Sequence, residues 1–219
     1  FLMSVTLYGI FGGTFDPIHN GHLDTVKHIA DKYALEQVVF IPSASPPHRN
    51  QPHASSRQRL EMASLAIRDL PRFTVDEREM HRNPPSYTYD TVKSLMADFP
   101  GRRYCFIIGV DALAGLESWY RWRDLLGMIH FVVMGRPGWS APDPLPDWWA
   151  GARINDADAF ESSRAGKILE VDVPPKPVSA TEIRYGITRG FDVGAMMPAP
   201  VWNYICENNL YMNYSERDH

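Results

Sequence analysis

The chain has 219 residues, 44% of them hydrophobic and 22% charged, with a formal net charge of −4. That balance suits one globular domain with a substantial core, and it excludes a basic nucleic-acid surface. An anionic ligand must therefore be held by a few local donors. The cysteines Cys105 and Cys206 stand far apart, with neither metal-ligand spacing nor a disulfide framework. No apolar run reaches the ~18 residues of a membrane span, and no signal peptide is evident. We expect a cytoplasmic protein with no nucleic-acid and no membrane partner.

Residues 5–11 are apolar and read as a first strand. After the glycine-rich stretch that follows, Leu23, Val26, Ile29, Ala30 and Tyr33 mark one face of a helix over 21–33. Further strands are expected at 37–42, 73–75, 104–110, 130–134 and 167–171, with helices at 57–70, 89–99, 119–128 and 181–189. A last helix at 199–208 carries Pro200 in its first turn, where proline is tolerated. On the helix at 57–70, Met62, Leu65 and Ala66 are core candidates.

Strands alternating with helices predict an α/β fold: a doubly wound parallel sheet covered on both faces, with a small C-terminal helical part. Two stretches break the rhythm. One is a proline-rich loop over 42–53; the other, 138–151, is rich in proline and holds Trp139, Trp148 and Trp149. We expect a single domain over 3–214, an insertion or rim loop at 138–165, and tails at 1–2 and 215–219.

The chemistry concentrates in residues 12–23, Gly-Gly-Thr-Phe-Asp-Pro-Ile-His-Asn-Gly-His-Leu. A strand, a glycine turn and a helix start is where an α/β protein places a phosphate. Glycines admit the backbone, and free N–H groups at the helix start point at the anion. His19 and His22 sit three apart there, so both rings can reach one bound group. A lone His-x-x-His would read as a helix cap. Its combination with Gly12, Gly13, Thr14, Asp16, Pro17 and Gly21 favours phosphate chemistry, in which imidazoles offset charge developing at phosphorus. Late in the chain, Ser179 and Thr181 can cap a helix and offer hydroxyls to an anion, while Arg184 supplies a planar cation. Asp111 closes the strand at 104–110, where a carboxylate can accept hydrogen bonds from a ribose or cap the next helix.

His19-Asn20-Gly21-His22 resembles the His-x-Gly-His turn of the nucleotidylyltransferase superfamily. Residues 179–184 resemble its Ser-Ser-Thr-x-Ile-Arg element, except that Ala180 replaces a serine. The resemblance implies a Rossmann-like sheet and an ATP site at Gly12, Gly13, Thr14, Phe15, His19, His22, Asp111, Ser179, Thr181 and Arg184. His19, His22 and Arg184 would be its catalytic residues. From about Tyr8 to Tyr211 the chain is similar to the bacterial nicotinate mononucleotide adenylyltransferases, on four segments: 46–49, 86–91, 106–111 and 119–125.

This similarity implies adenylyl transfer from ATP to nicotinate mononucleotide. Arg49 would lie near the phosphates, Thr88 against the nicotinate carboxylate, Trp119 on the pyridine ring with Tyr120 beside it, and Arg136 on the mononucleotide phosphate. Trp122 is expected in the core. Mg²⁺ would be the cofactor, carried by phosphate oxygens rather than by a protein cage, with Asp16 either holding one of its waters or shaping the turn. The tryptophans at 139–149 would anchor the insertion or contact another copy in a homo-oligomer. The alternatives are a phosphopantetheine adenylyltransferase, which shares both phosphate motifs, and a nucleotide-binding regulator without turnover.

Overall fold

The computed structural model describes residues 6–44, 51–82, 85–135, 138, 140–174 and 176–213. The first strand, β1 (Leu7–Gly13), leads through the glycine turn into α1 (Asn20–Lys32). Leu23, Val26, Ile29 and Ala30 are buried on one face of α1, as the helical period requires. Next come β2 (Gln37–Pro42), α2 (Ser56–Ile67), β3 (Phe73–Val75) and α3 (Thr88–Asp98). Ser55 caps α2 reciprocally: its hydroxyl accepts from the Gln58 N–H while the Gln58 carboxamide accepts from the Ser55 N–H. Such a cap is worth about 1 kcal/mol.

The second half of the chain runs β4 (Arg103–Gly109), α4 (Val110–Ala114), α5 (Trp122–Met128) and β5 (His130–Met134). It continues with α6 (Asp147–Ala152), β6 (Arg153–Ile154), β7 (Ile168–Val171), α7 (Ala180–Thr188) and α8 (Ala199–Glu207). The strands form one seven-stranded parallel sheet in the order β3-β2-β1-β4-β5-β7-β6. Strands buried on both faces read as continuous apolar runs, which is why Tyr104–Ile108 of β4 are all buried. The order reverses between β1 and β4, the place where such sheets take their ligands.

The differences from expectation have local causes. The helix expected from residue 119 begins at Trp122, because Leu116–Ser118 form a 3-10 turn and Arg121 is left-handed at φ 54°. The two-residue β6 and the short α6 lie inside the stretch read as an insertion or rim loop. No periodicity is visible in a strand of two residues. Trp149 of α6 is buried, its indole N–H donating to Glu170. Met62 and Ala66 of α2 are buried while Leu65 is half-buried, and Trp122 is buried.

Contacts divide the chain into two compact units. The first comprises 1–12, 28–39 and 87–175, and holds β4 to β7 with α3 to α6. The second comprises 13–27, 40–86 and 176–219, and holds the glycine turn, α2, β3, α7 and α8. Cys105 is buried, and burial pushes its thiol up to about 12, so it is inert at neutral pH. Among the described residues no helix is long and apolar enough to cross a membrane.

Candidate active site

In the second unit the turn after β1 is shaped by Phe15. Its backbone is left-handed at φ 52°, a conformation a bulky side chain rarely adopts and one that marks stored strain. The Phe15 ring is buried against Phe40 and meets His22 edge-on, at centroid distances of 6.0 and 5.4 Å. A Cβ at Gly13 would stand 2.7 Å from that ring, so only glycine fits there. The turn is thus bent over an aromatic anchor.

His19 occupies the position before α1, its carbonyl accepting from the N–H groups of His22 and Leu23 at 3.0 and 3.3 Å. The His19 N–H donates to Nδ1 of His22 at 3.3 Å. His22 therefore stands where a capping-box glutamate usually does. The bond has a chemical consequence: with Nδ1 accepting, the neutral ring carries its proton on Nε2, which becomes a donor.

The two imidazoles stack at 3.7 Å with 24° between planes. Burial lowers His19 to about 4, partly offset by the Glu182 carboxylate. Burial, and then the like charge of His19, holds His22 well below the usual 6.5. Both rings are neutral at pH 7. His19 Nδ1 is buried and makes no hydrogen bond. A Cβ at Gly21 would lie 3.0 Å from that atom and 3.2 Å from the Val178 carbonyl, so any side chain between the histidines would press on both.

Asp16 is buried and fully engaged by the protein. Oδ2 accepts from the His53 N–H at 2.8 Å; Oδ1 accepts from the Ala54 N–H at 3.0 Å and from the Tyr211 hydroxyl at 2.8 Å. These bonds favour the turn-shaping role of Asp16 over the water-holding one. Arg184 is also buried: Nη1 donates to the Asp16 carbonyl at 2.6 Å and Nη2 to the Thr181 hydroxyl at 3.3 Å. The two sequence motifs, 168 residues apart, thus meet at one peptide group. Ser179 is the cap of α7, its hydroxyl accepting from the Glu182 N–H and donating to the Glu182 carboxylate.

One residue the sequence reading passed over is central here. Arg59 is only 1% exposed and donates to three carbonyls: Thr14 at 2.7 Å, Ala44 at 3.0 Å and Ala54 at 3.3 Å. It fastens the glycine turn to both ends of the loop after β2. The available signal was an arginine three and seven positions before Met62 and Ala66, within an apolar stripe. Tyr211 was also passed over. Arg49, in the loop segment 46–49, lies outside the described residues.

Of the expected ring-binding residues in the first unit, Tyr120 packs with Tyr87 and Tyr89, and Trp119 packs with Phe106. Thr88 opens α3, after Tyr87. The Tyr120 ring, 47% exposed, lies 4.6 Å from Tyr87 at 31° and meets Tyr89 at 5.9 Å and 81°. The Arg121 guanidinium covers Tyr89 at 4.3 Å while its Nε donates to Asp124 at 2.6 Å. Trp119 meets Phe106 edge-on at 6.2 Å and is half-buried. Asp111, in the first turn of α4, folds back so that a Cβ at Gly109 would lie 2.5 Å from its Oδ1. Arg136 and Trp139 lie outside the described residues.

Chemically, the second unit offers neutral imidazoles, a buried guanidinium and helix-start N–H groups, a donor set for phosphate oxygens. Among the described residues there is no group of three or more His, Cys, Asp or Glu that could hold a metal ion. Residues 10–186 match the cytidylyltransferase-like family, and the chain belongs to it. A protein of Pectobacterium atrosepticum named "probable nicotinate-nucleotide adenylyltransferase" is 44% identical over 213 residues, 94% of this chain and 99% of its own. One of the same name from Aeromonas salmonicida is 42% identical over 205 residues, covering 93% and 96%. Within the wider family, this chain is a member of the nicotinate-nucleotide adenylyltransferases. The Plasmodium falciparum nicotinic acid mononucleotide adenylyltransferase, solved with NaAD, shares the fold at a TM-score of 0.71 and 19% identity, over 94% of this chain and 97% of its own.

Proposed function

We propose that this enzyme moves the adenylyl group of MgATP onto the phosphate of nicotinate mononucleotide, forming nicotinate adenine dinucleotide and pyrophosphate in NAD synthesis. A phosphate oxygen of the mononucleotide attacks the α-phosphorus in line, and the bond to the β-phosphate oxygen breaks. No protein nucleophile is required, because catalysis of this kind is positioning and charge stabilisation.

The observation that carries this reading is the hydrogen bond from the His19 N–H to His22 Nδ1. With Nδ1 occupied, the His22 Nε2–H is a fixed donor, which we assign to the α-phosphate. His19, stacked on the His22 ring, is assigned to the same triphosphate. Arg184 stabilises the departing pyrophosphate, together with the start of α7 at Ser179 and Thr181. Gly12, Gly13, Thr14 and Phe15 supply backbone to the nucleotide, and Asp111 takes a ribose hydroxyl. Mg²⁺ would be carried by ATP and would offset charge on its phosphates, since the Asp16 carboxylate already accepts protein N–H and O–H groups. Thr88, Trp119 and Tyr120 hold the nicotinate ring, with Arg49 and Arg136 on phosphates.

Pyrophosphate release tests this with MgATP and, in parallel, nicotinate mononucleotide, its amide analogue and 4′-phosphopantetheine. Strong preference for nicotinate mononucleotide is expected. Turnover only with phosphopantetheine would keep the phosphate roles and discard the ring assignments. ATP binding without release from any co-substrate would indicate a regulator.

A further inference from the structure

We infer that Tyr211, near the end of the described chain, is a positioning residue for adenylyl transfer, acting on Arg184 through Asp16. The inference rests on the phosphate role proposed for Arg184. Tyr211 is buried, and its hydroxyl donates to Asp16 Oδ1 at 2.8 Å across 195 residues of sequence. The carbonyl of the same Asp16 accepts from Arg184 Nη1 at 2.6 Å.

A second route joins the same residues. The Thr188 hydroxyl, one turn after Arg184 on α7, lies 3.1 Å from the Arg184 carbonyl and 3.1 Å from the Tyr211 carbonyl. Tyr211 therefore touches both the aspartate that receives the guanidinium and the helix that carries it. Its backbone is left-handed at φ 65°, a conformation tyrosine rarely takes. The buried phenol, beside the Asp16 carboxylate, is held well above its usual 10 and stays a donor.

A hydroxyl used only for packing would contribute to stability alone. One that fixes Asp16 also fixes the Arg184 guanidinium, and small misplacements of such groups cost up to ~10²-fold in rate. The phenolic oxygen lies outside any contact with substrate in this reading, so its effect should fall on MgATP and not on the mononucleotide.

The test is Tyr211→Phe, which keeps the buried ring and removes one hydroxyl, read by steady-state kinetics and by calorimetric binding of MgATP. We expect kcat to fall about tenfold, with weaker MgATP binding and the KM for nicotinate mononucleotide within about twofold of wild type. In the Asp16→Ala background the same change should add no further loss, because the Tyr211 hydroxyl has already lost its acceptor there. Wild-type kcat and MgATP affinity in Tyr211→Phe would overturn the inference, as would losses that multiply in the double variant. A loss confined to melting temperature would overturn it too, reducing Tyr211 to packing. If the wild type does not turn over nicotinate mononucleotide, the function reading fails separately, and MgATP binding by the same variants still decides the role of Tyr211.

Discussion

The proposed phosphate end and the proposed ring end of this enzyme are built on opposite plans. In the second unit, Asp16, Arg59 and Arg184 are buried, and each makes at least one hydrogen bond to a partner far away in sequence. In the first unit, Tyr120 is exposed and meets Tyr87 and Tyr89, Arg121 covers Tyr89, and Trp119 meets Phe106, contacts made through ring faces and edges. A phosphate demands donors fixed in advance, since reorganisation during the reaction would cost rate. A flat ring needs only a wall, and stacking contributes ~0.5–1.5 kcal/mol beyond burial. Perturbing the first plan should affect kcat and stability; perturbing the second should affect KM.

The largest expected effect is at His22. His22→Ala removes the fixed Nε2 donor and should lower kcat by ~10²–10³-fold, with circular dichroism unchanged. Near-normal turnover would take His22 out of the mechanism. Arg59→Met comes next: it leaves three buried carbonyls without their donor and should cost ~2–4 kcal/mol of stability in urea unfolding. A loss below ~0.5 kcal/mol would show that the turn does not depend on this anchor.

The histidines then predict a pH dependence. Burial lowers folded His19 and His130 to about 4 from the ordinary 6.5, with His22 also lowered. The unfolded chain thus binds more protons between those values. Stability should be full above pH 6.5 and fall as pH drops toward 4, by up to ~1.4 kcal/mol per pH unit for each histidine. His19→Gln should flatten that slope in chemical denaturation at several pH values, and an unchanged slope would mean that His19 is not held neutral. The smallest effect belongs to the ring end. Trp119→Ala should raise the KM for nicotinate mononucleotide about tenfold, with kcat near wild type. A change only in the KM for ATP would contradict the stacking role.

The same contrast explains what the sequence made legible. Every strand but β6 was readable, most plainly where double burial leaves a continuous apolar run, as in β4. The histidine pair was readable because its members are three residues apart and α1 alone brings their rings together. Arg59 and Tyr211 were not, since their partners Thr14 and Asp16 lie 45 and 195 residues away. Nothing local encodes such bonds; Arg59 left only the trace of a charge on an apolar face. The start of α5 was misplaced because Arg121 adopts a left-handed backbone that only tertiary packing selects. Thr88 and Asp111 sit at helix starts, where capping and ligand binding favour the same residue types.

The most direct measurement is a competition. The enzyme would be given MgATP with equal nicotinate mononucleotide and 4′-phosphopantetheine, and the adenylylated product identified by mass. Nicotinate adenine dinucleotide as the dominant product is the predicted result. An adenylylated pantetheine product, or none at all, would contradict the assignment of this chain's substrate.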